Sequence, residues 1–362
     1  MATLQSRPEI RLALPGKGAL ETATSAFLAE CGMKVSRNNP RQYLARIRSL
    51  PEIEVVFQRA ADIPELVQDG DAILGITGYD ILAEHRGFDE AESPEDDGDD
   101  DLIVIERNLG YGACRLVVAV PETWIDVNTC ADLWHLAGYY QSHKGRGLRI
   151  ATKYPLLTTQ FLRKQGITHC KIVSPHGALE AAPLTGTADL IVDLTETGTT
   201  LRENRLKLLE DGTVLRSQAC LIANKSALRD KPEALKMAKT MLELMEARTQ
   251  ARNRSMLTAS MHTESLDAIQ LVCEQLNRRL QSLVSGFSFR VTAVEPEEGI
   301  NRGDYTISGM VNAGGDAASE LLEIVAALRS AGARHIDVTP LTFRFGEEAT
   351  SVRVLHERLK RR

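Results

Sequence analysis

The segment Leu190-Ile-Val-Asp-Leu-Thr-Glu-Thr-Gly-Thr-Thr200 decides the fold of this chain. It begins with a short apolar run, typical of a strand buried on both faces, and continues into a polar turn that contains Gly198. The next residues, Leu201-Arg-Glu-Asn204, indicate the start of a helix. A buried strand followed by a turn and a helix is typical of an open α/β sheet, in which ligands bind beside the carboxyl ends of strands.

The turn has the side chains of a phosphate site. Thr197-Gly-Thr-Thr200 offers hydroxyl donors, a helix beginning here adds free N–H groups, and Gly198 permits close backbone approach to an anion. Asp193 at the strand end and Glu180 upstream are acceptors when ionised, so they suit vicinal ribose hydroxyls, directly or through Mg²⁺. The alternative interpretation is a capped helix start that binds nothing.

Strands and helices alternate on both sides of this segment, which predicts a mainly parallel sheet in each of two lobes. We predict the first lobe at residues 8–108 and again at about 203–252, where the chain returns to it, and the second lobe at 109–202. Residues 254–350 change to the order βαββαβ, which predicts a ferredoxin-like module. The predicted fold class is therefore α/β, with two lobes and a C-terminal module.

The charge of the chain is concentrated in one place. Of 362 residues, 43% are hydrophobic and 25% charged, as in globular proteins, and the net charge is −6. Residues 89–101 carry nine acidic residues and no basic one, so the rest of the chain carries +3. We predict a solvated surface loop at 89–101 and, because the remaining charge is small and scattered, no binding of nucleic acid.

The sequence also predicts where the protein resides. No apolar run approaches about 18 residues, so no membrane span is predicted. The N-terminal residues lack the pattern of a secretory signal, and the six cysteines have no metal-site spacing. We therefore expect reduced thiols and a cytoplasmic protein.

A longer pattern resembles a known family. The spacing Glu180-x5-Gly186-x-Ala188-x2-Ile191-x-Asp193-Leu194-x2-Thr197-Gly198-x-Thr200-Leu201 is similar to the signature of ATP phosphoribosyltransferase, the first enzyme of histidine biosynthesis. Ala13–Leu20, Arg59–Pro64 and Asp71–Asp80 continue the resemblance, which covers residues 10 to about 225. The C-terminal module resembles the regulatory domain of the long form. The resemblance implies a two-lobed core like the type II periplasmic binding proteins, followed by an ACT-like domain.

The resemblance also implies a reaction and its residues. The family joins N1 of ATP to C1 of phosphoribosyl pyrophosphate (PRPP), giving N1-(5-phosphoribosyl)-ATP and pyrophosphate. Mg²⁺ is expected to enter with the substrate phosphates, without a dedicated protein site. The residues implied for PRPP are Glu180, Asp193, Thr195, Glu196, Thr197, Gly198, Thr199 and Thr200. The bases expected to neutralise pyrophosphate and ATP are Lys17, Arg41 and Arg59. The residues expected to line the cleft are Gly75, Thr77 and Gly78.

Further expectations concern partners. The long form of the family implies histidine as an effector bound by the C-terminal module, and a homo-oligomer of dimers and hexamers. Residues 285–304 depart from the family pattern.

Two other functions fit the same sequence features. A two-lobed α/β protein can be a non-catalytic module that binds a small ligand. A phosphoribosyltransferase acting on another base would also need a phosphate turn, although the common members have adjacent acidic residues before it, whereas Glu180 and Asp193 are thirteen positions apart.

Overall fold

The computed structural model describes residues 10–37, 39, 41–87, 101–174, 178–281, 289–293, 304–312 and 317–360. The chain divides into two compact units, Met1–Leu242 with Thr350–Arg362, and Glu243–Ala349. The predicted acidic loop at 89–101 lies outside the described residues, except for Asp101.

The first lobe is a seven-stranded sheet with the order β2-β3-β4-β1-β5-β12-β6. Its strands are β1 (Ile10–Pro15), β2 (Val35–Ser36), β3 (Leu44–Ile47), β4 (Leu50–Gln58), β5 (Leu74–Gly78), β6 (Leu102–Glu106) and β12 (Ala219–Asn224). Its helices are α1 (Gly18–Glu30), α2 (Ile63–Gln68) and α3 (Tyr79–Arg86). The central strands β4, β1 and β5 are parallel and buried, so their carboxyl ends share one edge.

The second lobe is a five-stranded sheet with the order β11-β7-β10-β8-β9. Its strands are β7 (Cys114–Pro121), β8 (Leu148–Thr152), β9 (Cys170–Val173), β10 (Leu190–Thr195) and β11 (Leu206–Ser217). Its helices are α4 (Cys130–Lys144), α5 (Pro155–Lys164) and α6 (Thr199–Glu203). Strands β10, β8 and β9 are parallel, whereas β7 is antiparallel to both β10 and β11. The two lobes share one core cluster, which contains Ala13 and Leu116.

The chain crosses between the lobes twice. It passes from β6 to β7 through residues 107–113, and from β11 to β12 through Gln218 alone. This corrects the predicted return to the first lobe at about residue 203, because β11 forms an antiparallel ladder with β7 of the second lobe. The return begins at Ala219, the first residue that pairs with β5.

The helices after β12 are α7 (Lys225–Asp230) and α8 (Pro232–Ala251). A last helix, α11 (Thr350–Lys360), belongs to the first unit and was not predicted from the sequence. Its Val352 and Leu355 are buried, and Arg229 of α7 donates two hydrogen bonds to the Leu359 carbonyl. The first unit therefore includes the end of the chain as well as its beginning.

The second unit has the predicted ferredoxin-like order. Its elements are β13 (Arg254–His262), α9 (Leu266–Gln281), β14 (Phe289–Ala293), β15 (Asp304–Asn312), α10 (Ala317–Ser330) and β16 (His335–Pro340). The antiparallel sheet has the order β14-β15-β13-β16, and Ile269, Cys273 and Leu276 of α9 join its core. Gly332, two residues after the end of α10, has φ 96°, a backbone conformation that favours glycine. Among the described residues, no helix is long and apolar enough to cross a membrane.

Candidate active site

The turn after β10 is held in shape by two features of its sequence. Gly198 has φ 78°, and its N–H group donates a 2.7 Å hydrogen bond to Thr195 Oγ1. A Cβ at Gly198 would have only ordinary contacts, the nearest at 3.5 Å, so the left-handed backbone is what favours glycine here. Because Thr195 is buried and Leu190–Val192 are inaccessible to solvent, the turn stands on a rigid strand.

The hydroxyl groups of the turn remain open to solvent. Thr197, Thr199 and Thr200 are exposed, and Thr197 Oγ1 lies 2.9 Å from Thr199 Oγ1. Helix α6 has only five residues, so a helix dipole contributes little. An anion at this turn would be held by individual hydroxyl and N–H donors, which modifies the sequence-based expectation of a helix N-terminal site.

Asp193 and Glu180 lie close enough in the structure for their charges to interact. Asp193 is half-buried, and its Oδ1 accepts a 2.8 Å bond from the Leu194 N–H. Burial raises the pKa of Asp193 and the nearby Glu180 carboxylate raises it further, while the Leu194 bond and the Lys153 ammonium act in the opposite direction. Two adjacent carboxylates, one of them partly desolvated, suit ribose hydroxyls or a cation.

Lys153 is a site residue that the sequence analysis missed. It directly follows β8, whose Thr152 pairs with Val192 of the parallel β10, so Lys153 and Asp193 occupy neighbouring positions at the sheet edge. The available signal was its position: the first residue after a parallel strand lies at the ligand-binding edge.

The three predicted bases lie at the carboxyl edge of the first sheet. Lys17 and Arg59 follow β1 and β4, which pair in parallel up to Pro15 and Gln58, and both side chains are exposed. Arg41 is also exposed, in the loop before β3, where the Tyr43 carbonyl accepts a bond from the Phe57 N–H. One edge of the first lobe thus presents three cations.

The cleft-lining role of Gly75, Thr77 and Gly78 stays a prediction, and the structure shows that all three are buried in β5. A Cβ at Gly75 would lie 2.7 Å from Ile63 Cγ2 and 2.8 Å from Val67 Cγ2, so this glycine lets α2 pack on β5. Thr77 is fully buried and donates to the Ala60 carbonyl. Gly78 is also buried, and a Cβ there would lie 2.5 Å from Asp80 Oδ1. These contacts show that the three residues pack the first lobe.

A buried carboxylate joins the two lobes at the crossings. Asp80 of α3 is 4% exposed and accepts bonds from Tyr154 Oη (2.7 Å) and Ser217 Oγ (2.6 Å). Burial, followed by the charge of Asp80, raises the pKa of Tyr154 well above its usual range, so its hydroxyl stays protonated as the donor. Because Tyr154 follows Lys153, this network fixes the segment beside Asp193.

Glu84 of α3 adds a second connection between the lobes. Its carboxylate oxygens accept bonds from the Leu156 and Leu157 N–H groups, at 2.8 and 3.0 Å, and so satisfy the free donors at the start of α5. Gln160 of the same helix donates to the Gly87 carbonyl. Sequence periodicity gave no signal for these contacts, since the partners lie about 70 residues apart.

In the part of the chain that the structure describes, no three His, Cys, Asp or Glu side chains are close enough to hold a metal ion. Glu180 and Asp193 would supply two carboxylate groups at most. This donor set fits Mg²⁺ that keeps most of its oxygen ligands from water and substrate phosphates.

Comparisons with known proteins identify the family. The sequence profile of HisG, ATP phosphoribosyltransferase, matches residues 59–246. The chain belongs to the ATP phosphoribosyltransferase family. ATP phosphoribosyltransferase 2, chloroplastic, from Arabidopsis thaliana is 36% identical over 342 residues, which cover 94% of this chain and 78% of that protein. The ATP phosphoribosyltransferase of Brucella melitensis is 45% identical over 216 residues, covering 59% of this chain and 89% of that protein.

These findings confirm the enzymatic function expected from the resemblance, phosphoribosyl transfer to ATP at the first step of histidine biosynthesis. The match to the Arabidopsis enzyme extends over the C-terminal unit as well as the core, in agreement with the long form. A solved structure titled ATP phosphoribosyl transferase (HisG:HisZ) complex from Thermotoga maritima is 28% identical, with a TM-score of 0.47, and covers 66% of this chain and 98% of that chain.

Proposed function

We propose that the turn Thr195–Thr200 binds the 5′-phosphate of PRPP during phosphoribosyl transfer to ATP. The observation that supports this most directly is the left-handed Gly198, bonded to the buried Thr195, which leaves the Thr197, Thr199 and Thr200 hydroxyls exposed around one turn. A phosphate monoester accepts several hydrogen bonds from such a group of donors. Glu196, in the same turn, is exposed and lies next to the bound phosphate in this assignment.

Asp193 and Glu180 then bind the ribose hydroxyls. Both are acceptors when ionised, and they lie close enough for their charges to interact. Departure of pyrophosphate from C1 leaves positive oxocarbenium character on the ribose, which adjacent carboxylates stabilise. The Lys153 ammonium favours the ionised form of Asp193, against the burial and the Glu180 charge that raise its pKa.

The departing pyrophosphate is an anion, so positively charged side chains are needed to stabilise it. We assign Lys17, Arg41 and Arg59, the three exposed bases at the carboxyl edge of the first sheet, to pyrophosphate and to the ATP phosphates. In this assignment catalysis consists mostly of orienting two anionic substrates and stabilising the departing charge. Mg²⁺ enters bound to the substrate phosphates and reduces their mutual repulsion.

The phosphate assignment is tested by replacing one hydroxyl. Thr200→Ala removes the hydroxyl donor of an exposed residue, and we expect the Kd for PRPP, measured by calorimetry, to rise about tenfold. The matched control is Thr159→Ala, since the Thr159 hydroxyl is equally exposed and bonds only the Pro155 carbonyl of its own helix. Unchanged PRPP affinity in Thr200→Ala would remove the turn from the site.

Regulation and assembly are proposed from the long form of the family. We assign histidine as an effector of the second unit, and a homo-oligomer of dimers and hexamers as the working state. The Thermotoga maritima protein is titled as a complex, and the Arabidopsis enzyme as chloroplastic. The cytoplasm stays a prediction for this chain. Titrating histidine into the activity assay, with sedimentation in parallel, tests the effector and the assembly together. If histidine causes no inhibition and no change of mass, both assignments are contradicted.

A further inference from the structure

Helix α3 of the first lobe and helix α5 of the second lobe are joined by hydrogen bonds along their length. The bonds join Asp80 to Tyr154, Glu84 to the N–H groups of Leu156 and Leu157, and the Gly87 carbonyl to Gln160. Since the partners advance together in sequence, the two helices run side by side in the same direction. We call this set of bonds the α3–α5 contact.

The α3–α5 contact extends away from the crossings between the lobes. Asp80 lies at the crossings, because it also accepts a bond from Ser217, the last residue of β11. By the rise of an α-helix, Glu84 lies about 6 Å further along α3 and Gly87 about 10 Å further. A bond at a distance from a hinge resists rotation of the lobes more than a bond at the hinge itself, because it acts on a longer lever arm.

The first crossing has few residues that can change the angle between the lobes. Tyr111 is held to the first lobe, since its hydroxyl donates to Thr24 Oγ1 and its carbonyl accepts a bond from the Ala219 N–H. Only Gly112 and Ala113 then remain before β7, and Gly112 has φ 67°. A hinge absorbs rotation through the backbone angles of a few such residues. The crossing therefore connects the lobes without fixing their angle.

Glu84 is the carboxylate that joins the first lobe to the start of α5. Its two oxygens accept separate N–H groups in the first turn of that helix, at 2.8 and 3.0 Å, and these N–H groups have no partner within the helix. Hydrogen bonds to an ionised acceptor are stronger than those between neutral groups. Because α5 begins directly after Lys153 and Tyr154, Glu84 holds the edge of the second sheet that carries Asp193.

The reaction needs groups of both lobes in one geometry. In the proposed function the second lobe binds the phosphate and ribose of PRPP, and the bases of the first lobe stabilise the departing pyrophosphate. We propose that Glu84 is a positioning residue that sets the angle between the lobes for phosphoribosyl transfer. This inference rests on the proposed division of the substrate site between the lobes. Since small errors in orientation cost most in the transition state, loss of this contact lowers kcat more than PRPP affinity.

The test separates turnover from binding. Glu84→Gln keeps the size of the side chain but removes its charge and one of its two acceptor oxygens. We expect kcat to fall about tenfold, while the Kd for PRPP, measured by calorimetry, stays within about twofold. Glu84→Asp keeps both acceptors on a shorter side chain and should recover part of kcat. The matched control is Glu65→Gln, since Glu65 is an exposed residue of α2 in the same lobe.

Hydrogen–deuterium exchange of the peptide 153–160 shows whether the bonds to α5 are lost, and thermal midpoints identify any variant that fails to fold. If Glu84→Gln does not fold, Gln160→Met removes the bond to the Gly87 carbonyl instead and should lower kcat in the same direction. Unchanged kcat in a folded variant with faster exchange would leave Glu84 a purely structural role, and a loss of PRPP affinity equal to that of kcat would assign its effect to binding; either result overturns the inference. Failure of the PRPP turn is read separately, as unchanged PRPP affinity in Thr200→Ala.

Discussion

Asp189 directly precedes β10 and Asp193 lies in its carboxyl-terminal half, four positions later, and their surroundings differ in charge. The Asp189 carboxylate is 8% exposed and accepts bonds from Arg146 Nη1 (2.6 Å), Arg149 Nη2 (3.0 Å) and the Arg149 N–H (2.8 Å). These bonds outweigh its burial and hold its pKa well below the usual range. Asp193 has no arginine partner among the described residues, and its pKa is raised by burial.

The difference shows how one strand provides both stability and function. At the amino end, the Asp189 carboxylate is paired with Arg146 and Arg149 and so connects β8 to β10. Its oxygens are therefore already hydrogen-bonded and have little capacity to bind a ligand. At the carboxyl end, Asp193 is partly desolvated, and the favourable groups near it are the Lys153 ammonium and the Leu194 N–H. A carboxylate in such surroundings gains from binding hydroxyls or a cation, which is the condition for a substrate site.

The largest expected effect concerns catalysis at the carboxyl end. Asp193→Asn removes the charge that faces the ribose, and we expect kcat/KM for PRPP to fall on the order of 100-fold, while the free energy of unfolding is unchanged or slightly higher because a desolvated charge is lost. Steady-state kinetics and urea unfolding measure the two quantities. A normal kcat/KM would remove Asp193 from the site.

The matched change at the amino end should have the opposite signature. Asp189→Asn leaves Arg146 and Arg149 facing each other with weaker acceptors, and we expect the free energy of unfolding to fall by about 2 kcal/mol. The KM for PRPP of the folded variant should stay within about twofold. The urea midpoint measures the loss, and a stable variant with impaired PRPP binding would contradict the division of roles.

The smallest expected effect is in pH dependence. The lowered pKa of Asp189 adds stability above the unfolded value, roughly pH 4, which is lost as the pH falls through the folded value. Wild type and Asp189→Asn should therefore converge in stability on acidification. The raised pKa of Asp193 acts oppositely: its contribution to stability is lost as the pH rises through the folded pKa, where the carboxylate becomes charged.

For the ligand, the raised pKa of Asp193 predicts that, on acidification, PRPP affinity begins to weaken at a higher pH than it would with an ordinary carboxyl group, because Asp193 takes up its proton earlier. Asp193→Asn should flatten this dependence. Calorimetry at several pH values measures it, and an equally steep dependence in the variant would assign it to another group.

The helices and strands were predicted from the sequence more accurately than the sheet that each strand joins. The βαββαβ order, the buried β10 and the glycine turn followed from local patterns, because periodicity and left-handed glycine positions are properties of neighbouring residues. The assignment of Leu206–Ser217 to the wrong lobe has a different origin. Its alternating residues predict a strand, but which sheet accepts that strand depends on the β7 ladder about 90 positions away.

The site residues divide in the same way. Asp193, Glu180 and the threonine turn were found through a contiguous pattern. Lys153 and Tyr154 were missed because their positions depend on which strands are neighbours. The packing of Gly75 was also not predicted, because its requirement for a small residue comes from Ile63 and Val67 of α2. A glycine in a sequence indicates either that a Cβ atom would not fit or that the backbone is left-handed. The sequence alone does not distinguish the two.

By itself, the sequence determined the α/β class, the ferredoxin-like order of the C-terminal unit, the phosphate turn and the family, since each is written in spacings of a few residues. Only the tertiary structure decided which charges are satisfied and which remain available. Asp189 and Asp193 are the same kind of side chain, one just before β10 and one within it, and their pKa values shift in opposite directions. The bonds from Arg146 and Arg149 lower the pKa of Asp189, whereas burial and the Glu180 charge raise that of Asp193. Electrostatic interaction depends on distance and burial, and neither is a property of the sequence alone.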